Sequence, residues 1–314
     1  MKRLPVLTSI TSRDTWLKMR AKNINASEIG ALFNVHPYLT QYQLWAQHTG
    51  RLQKDDQDNL AMRRGRIMEP AVAMALQERH PDWYICQAEE YAHLPDLRLG
   101  CTPDFYAGAM SAPFPAERFL IQAKTVISSK FDAEWTPLPP SHYLFQVQTE
   151  MLVTGIDRCI LAALVLDGWE FPVHEYEFKA DPEARLSLLA AVKRFWEYVD
   201  ADEEPPLTHP QDASTLASIY SKRTVEAEVA LALHGDAGFV GLCREHLDLG
   251  KEVKRLTEQR EGVSSQIMGR LRNHAKAEAQ DYRVSWSFIP GGPRAFEVKP
   301  HRKLMVTQRK AKGE

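Results

Sequence analysis

The chain has 314 residues, of which 44% are hydrophobic, 25% charged and 9% aromatic, enough apolar material for a sizeable core and too much for a disordered or fibrous protein. With 39 Lys and Arg against 41 Asp and Glu, the formal net charge is −2, so nothing global selects a polyanion or a membrane surface, and any contact with nucleic acid must rest on local charge. Cys86, Cys101, Cys159 and Cys243 lack CxxC spacing, which argues against a zinc site and a disulfide framework; no stretch approaches a membrane span or a secretory leader, and a cytoplasmic protein with no membrane partner is expected.

In chain order, Ala26 to Phe33 reads as a helix start, with Asn25 at the N-cap, Glu28 three residues on as a capping box, and apolar Ile29, Leu32 and Phe33 behind them. AVAMALQERH reads as a helix opening after Pro70, a tolerated residue in a first turn. Strand-like runs follow from Tyr84, Leu97 and Phe119, and later from Cys159 and Val173. Between them SHYLFQVQTEMLVTG carries a helix start after Pro139 and Pro140 and a stop at Gly155. The helix after Asp181 places Leu188, Val192, Phe195 and Val199 at helical spacing. A sheet flanked by helices is the expected architecture.

The acidic, proline-rich ADEEPPLTHP at 201–210 marks a break, dividing a core at 1–204 from an extension at 205–314. Beyond it helical stretches are expected about Thr215 to Leu233 and Leu242 to Ala279, the latter an amphipathic helix or hairpin. Two alternating runs around Pro290-Gly291-Gly292-Pro293 read as a β-hairpin with a loop. A basic tail from Arg294 holds Lys299, Arg302, Lys303, Arg309, Lys310 and Lys312, a solvated surface or a disordered arm. Trp16, Trp45, Trp135 and Trp196 lie in apolar contexts that suit core packing, and His36 and His142 read as surface or packing residues.

The chemistry concentrates in Gln122-Ala123-Lys124. Alternation in a strand places Gln122 and Lys124 on one face and Ile121, Ala123 and Thr125 on the other, and packing does not need that polar pair. Asp104 follows Thr102-Pro103 at the end of another strand, where hairpin-like geometry would bring its carboxylate beside Gln122. The resulting D…QxK is a variant of the PD-(D/E)-x-K nuclease pattern. Mg²⁺ takes oxygen ligands and keeps waters, so Asp104, with Glu69 as a second carboxylate, suffices to hold it against a phosphate, while Lys124 positions water or stabilises developing negative charge. Standing alone, the motif also suits a turn-capping Asp and a solvated edge Lys.

The ordered set WLKMRAKNINASEIGALFNVHPY, RRGRIMEPAVA, GCTPDFYAG, IQAKTV and YLFQVQTEMLVTG resembles the lambda-type exonuclease family, also called the YqaJ-like viral recombinase family, from about Thr15 to Asp200. The resemblance implies an α/β, PD-(D/E)-x-K restriction-endonuclease-like core, a mixed sheet flanked by helices, here with a C-terminal helical and β-hairpin extension. It implies catalytic roles for Glu69, Asp104, Gln122, Lys124 and Gln146. The metal ligands would be Asp104, Gln122, Glu69 and the Ala123 backbone carbonyl, for Mg²⁺ with Mn²⁺ as substitute. Arg20 and Ser27 would hold a DNA 5′-phosphate, which the helix start near Ala26 would favour through its free N–H groups.

The implied activity is a Mg²⁺-dependent 5′-to-3′ exodeoxyribonuclease on linear double-stranded DNA, leaving 3′ single strands for phage-type recombination, with a homotrimer and a single-strand annealing protein as partners. The departure is Gln122, where the family has a carboxylate: the amide oxygen can still meet a metal, but one negative charge is gone. A DNA-end-binding protein without catalysis and an endonuclease of the same fold are the alternatives. Glu150, four residues after Gln146, reads as a surface or supporting residue, and Gln148 as lying elsewhere on the helix surface. Arg63, Arg64 and Arg66 precede Glu69 as possible phosphate contacts.

Overall fold

The computed structural model describes residues 4–54, 60–111, 117–220, 231, 233 and 235–289. It opens with strand β1 (Val6–Ser9), helix α1 (Arg13–Arg20) and the short β2 (Ile24–Asn25), then a 3-10 turn at Ile29–Phe33, α2 (Gln41–His48) and α3 (Leu60–Arg79). Strands β3 (Trp83–Gln87), β4 (Glu90–Leu94), β5 (Leu99–Cys101), β6 (Phe105–Ala109) and β7 (Phe119–Ile127) follow, then α4 (Ser128–Glu134) and α5 (Ser141–Thr154). Strands β8 (Arg158–Leu166) and β9 (Val173–Lys179), then α6 (Pro182–Ala201) and α7 (Asp212–Ile219), complete the first compact unit, Met1–Ile219. The break at 201–210 therefore lies inside this unit: Leu216 and Ile219 of α7 pack against a core cluster that includes α2 and α6.

The strands form two sheets in this unit, ordered β3-β6-β7-β8-β9 and β1-β4-β5-β2. Each sequence run from Tyr84 and from Leu97 thus supplies two strands to different sheets, with Ala88-Glu89 and Thr102 to Asp104 as the crossovers. In the larger sheet β7 and β8 are parallel and the other pairs antiparallel, the parallel step being made by α4 and α5. Both central strands are covered on both faces, which is why they read as near-continuous apolar runs. Ile121 and Ala123 of β7 join Val72 and Leu76 of α3, whereas Leu120 and Val126 join Val147 and Met151 of α5. The alternation expected of Gln122 and Lys124 follows: both belong to the α5 side.

Helix α5 has the expected bounds and ends on Gly155 at φ +71, where only glycine is unstrained. Asp181 caps α6, its Oδ1 accepting from Glu183 N at 2.8 Å, and Leu188, Val192 and Phe195 are buried, with Val199 packed beside them. Trp45, Trp135 and Trp196 are buried, and Trp16 is half-buried with its Nε1 donating to Thr102 Oγ1 at 3.0 Å.

Two expectations near the site change. The segment after Asn25 makes only one 3-10 turn, Ile29–Phe33, since its residues bond as successive turns: Glu28 N to Asn25 O and Ala31 N to Glu28 O. It therefore supplies no helix N-terminus for an anion. Pro70 lies inside α3, not at its start; Leu60 to Glu69 are already helical, so Glu69 projects from mid-helix.

The second unit is Tyr220–Glu314. The expected helix or hairpin is a single 35-residue helix, α8 (Ala237–Leu271), capped by Asp236 Oδ1 accepting from Phe239 N at 2.9 Å. Leu242, Leu249, Leu256 and Val263 recur every seven residues, with Val253 and Ile267 beside them, all exposed; this is the repeat by which helices associate in coiled coils. The YRVS run forms β11 (Tyr282–Ser285), but it pairs with the preceding β10 (Lys276–Ala279) about Gln280-Asp281. The expected loop at 290–293, the run after it and the basic tail lie outside the described residues, as does most of the expected helix at Thr215 to Leu233.

Candidate active site

Asp104 sits in the crossover between β5 and β6, and its pairing to β7 is set by the sheet register, Phe105 opposite Ile121. Its Oδ2 accepts two bonds, from Gln122 Nε2 at 2.6 Å and from the Ala123 backbone N–H at 2.8 Å, leaving Oδ1 for another partner. Burial pushes the Asp104 carboxyl up to about 6, with Glu69 adding repulsion and Lys124 opposing both. Asp104, Gln122, Lys124 and Glu69 are thus brought into one electrostatic neighbourhood. Gln122 is buried at 2% exposure, and its Oε1 has no hydrogen-bond partner.

Beside this cluster is a cleft of about 620 Å³ whose wall includes Glu69 from α3, Ala123 and Lys124 from β7, Lys130 from α4, and Tyr143 from α5. Lys124 Nζ lies 5.1 Å from the centre of the Tyr143 ring, a cation–π contact that holds the ammonium toward the cleft. Of the three arginines before Glu69, Arg64 lines the cleft; Arg63 and Arg66 are exposed on α3. His142 also lines it, and burial, with His36 and Lys124 nearby, pushes its imidazole down to about 4.

The far side of the site comes from α5. Gln146 is buried and donates from Nε2 to Glu150 Oε1 at 2.9 Å. Glu150 is not a surface residue: it is 1% exposed, its Oε2 has no partner, and burial followed by repulsion from Asp104 pushes its carboxyl up to about 8. Gln148 lies elsewhere, as expected, tying α5 to β9 and α6 by donating to Lys179 O and accepting from Asp181 N.

Arg20 and Ser27 come together directly, Arg20 Nη2 donating to Ser27 Oγ at 3.1 Å, while the guanidinium carbon lies 4.6 Å from the centre of the Trp16 ring. Glu28, unremarked as a site residue in the sequence, organises this corner. Its Oε1 ion-pairs with Lys54 and lies 3.8 Å from Arg20, and its Oε2 accepts from Asn25 N at 3.0 Å and Asn25 Nδ2 at 2.8 Å. Burial alone would push Glu28 up, but Arg20 and Lys54 outweigh it and hold the carboxyl at about 2. The capping-box spacing signalled the Asn25 bond and not the burial. Trp16, bonded to Thr102, ties this corner to the crossover that ends in Asp104. Among the described residues no group of three or more His, Cys, Asp or Glu side chains is gathered as a metal cage.

A mixed sheet flanked by helices, with an aspartate clamped to the neighbouring strand and a lysine two residues past the amide that contacts it, defines a PD-(D/E)-x-K-type α/β core. Residues 15–157 match the YqaJ-like viral recombinase domain family. The chain is 24% identical to the uncharacterized protein YqaJ of Bacillus subtilis (strain 168) over 291 residues, 91% of this chain and 87% of that one. Among solved structures it is similar to the alkaline exonuclease LHK-Exo from Laribacter hongkongensis, at 18% identity and TM-score 0.46, over 65% of this chain and 100% of that one. A phage related exonuclease from Haemophilus somnus 129PT matches at 9% identity and TM-score 0.38, over 57% and 96%.

Proposed function

We propose that the chain is a Mg²⁺-dependent exodeoxyribonuclease that resects linear double-stranded DNA from 5′ ends, leaving 3′ single strands for recombination by strand annealing. The observation that carries it is the Asp104 clamp: one carboxylate fixed to β7, with Lys124 on the same strand and Glu69 across the cleft. The domain match at 15–157 supports a nuclease of the recombinase type.

The residues fit a hard divalent cation. Asp104 Oδ1, the Glu69 carboxylate, the Ala123 carbonyl and the buried, unpartnered Gln122 Oε1 are all oxygen donors, and Mg²⁺ completes its shell with water. When bound, the cation would polarise the phosphate and acidify a water. Lys124, held by Tyr143, would stabilise the charge that develops on the phosphate, and Gln146 would order the α5 side of the site. Arg20, with Ser27, would bind the terminal 5′-phosphate; Glu28 and Trp16 fix its guanidinium, so little side-chain entropy is lost on binding.

A homotrimer around the DNA and a single-strand annealing protein as partner belong to the same proposal, as does a cytoplasmic location. Among the described residues no helix is long and apolar enough to cross a membrane. Gln122 donating to Asp104 favours one competing reading, a DNA-end-binding protein without catalysis. Digestion of end-labelled linear duplex beside closed circles, in Mg²⁺ and in EDTA, decides among them. Mg²⁺-dependent release of nucleotides from linear DNA alone supports the exonuclease; cut circles identify an endonuclease, and no product in Mg²⁺ or Mn²⁺ leaves end binding.

A further inference from the structure

If the site holds a divalent cation, as that reading requires, Gln122 leaves it one negative charge short. One buried carboxyl stands unused beside it. Glu150 shares a helix face with Tyr143, which contacts Lys124, and with Gln146, which donates to Glu150 Oε1. Its other oxygen is buried without a partner, and so is Gln122 Oε1. The elements bearing these two orphaned oxygens share one hydrophobic cluster, to which β7 contributes Leu120 and Val126 and α5 contributes Val147 and Met151.

Two buried oxygen atoms with no donor between neighbouring elements are costly in a closed core and suited to a place where a cation binds. The charges agree with the placement. Asp104 repels Glu150, and Lys124 attracts both carboxylates, so the three lie within electrostatic reach of one another.

We propose that Glu150 supplies from helix α5 the carboxylate that strand β7 lacks at Gln122, serving as an oxygen ligand to the divalent cation held by Asp104. The ligand has moved from the strand to the helix packed on it, and Gln146 holds its other oxygen in place. Sequence position hides this, because the carboxylate is 28 residues from the Gln122 it replaces, while the fold brings their elements into one core cluster.

Mn²⁺ binding to the full chain, followed by calorimetry and by the electron paramagnetic resonance of free Mn²⁺, tests the exchange without reference to turnover. Glu150→Gln should weaken Mn²⁺ binding at least tenfold, and adding Gln122→Glu to that variant should recover most of the loss, with circular dichroism confirming that each variant is folded. Unchanged affinity in folded Glu150→Gln would overturn the proposal. The wild-type protein carries a second test that needs no variant: in Mn²⁺-soaked crystals the anomalous peak should lie at coordination distance, about 2.0–2.4 Å, from a Glu150 oxygen. A peak at Asp104 with Glu150 more than about 4 Å away overturns the ligand role while leaving the nuclease reading intact. A wild type that binds no divalent cation and digests no DNA overturns both.

Discussion

Replacing Glu28 by glutamine tests whether the corner around Arg20 is held by one buried charge. The Glu28 carboxyl falls from 4.5 to about 2 on folding, which at about 1.36 kcal/mol per unit corresponds to about 3 kcal/mol of differential stabilisation. Because the folded value is the lower one, this stability is fully present above the unfolded pKa of 4.5 and is lost as pH falls through 4.5 toward 2. Glu28→Gln keeps the shape and the acceptor for Asn25 but removes the charge facing Arg20 and Lys54. Denaturant unfolding at pH 7 should show a loss of about 3 kcal/mol, and thermal unfolding a drop of roughly 6–12 °C for a unit of this size. The gap to wild type should shrink as the pH approaches 2. With Arg20 released, the advantage of 5′-phosphorylated over 5′-hydroxyl ends should fall as well. A loss below about 0.5 kcal/mol at pH 7, or a gap that stays constant down to pH 2, would refute the reasoning, since neither fits a charge-based contribution.

Lys124→Ala and Asp104→Ala should each lower Mg²⁺-dependent hydrolysis of linear duplex by about a hundredfold or more while retaining native circular dichroism; near-normal turnover in either would remove the mechanism. Arg20→Ala should abolish discrimination between phosphorylated and hydroxyl 5′ ends, measured as the ratio of digestion rates, and unchanged discrimination would count against the phosphate pocket. In EDTA the melting temperature should fall as pH rises from about 6.5 to 8, because Glu150, raised to about 8, keeps a proton in the folded chain that the unfolded chain has already lost; Mg²⁺ should reverse the fall, and a flat EDTA profile over that window would contradict the burial. Gly100→Ala should cost about 1–3 kcal/mol, since a Cβ there would lie 2.0 Å from the hydroxyl of fully buried Tyr91; wild-type stability in denaturant titration would mean that Tyr91 moves aside freely.

Local chemistry was legible where it was periodic. The strand runs at Phe119 and Cys159, the α5 boundaries and the helix after Asp181 follow from apolar repeats and from proline and glycine placement, all of which act within a few residues. The Asp104–Gln122 pair was legible as an expectation because hairpin-like pairing of β6 with β7 sets the residue before β6 beside the middle of β7. The helix start at Pro70 misled because proline is tolerated in a first turn, yet α3 extends through it from Leu60, and nothing local distinguishes the two cases. The anion-binding helix after Asn25 failed for a different reason. Its capping signal is real, since Asn25 N–H does bond Glu28, but the segment is fixed by β2, by Tyr91 bonding Asn25 and by the Arg20 and Lys54 charges, and these long-range ties leave only a 3-10 turn.

Burial of charge is what a single sequence hides most completely, and two carboxylates here show it. Glu28 reads as a capping residue and Glu150 as a surface or supporting one, and neither reading implies burial, since a carboxylate is mostly exposed unless something pairs with it. The structure buries both, and their carboxyls move in opposite directions for a physical reason: Glu28 has two cations against it, whereas Glu150 has an amide on one oxygen and nothing on the other. A compensated charge of the first kind fixes the Arg20 guanidinium and is complete within the fold. An uncompensated carboxyl of the second kind is stable chiefly in its protonated form, and the proposed role as a cation ligand would supply the positive charge that its surroundings lack.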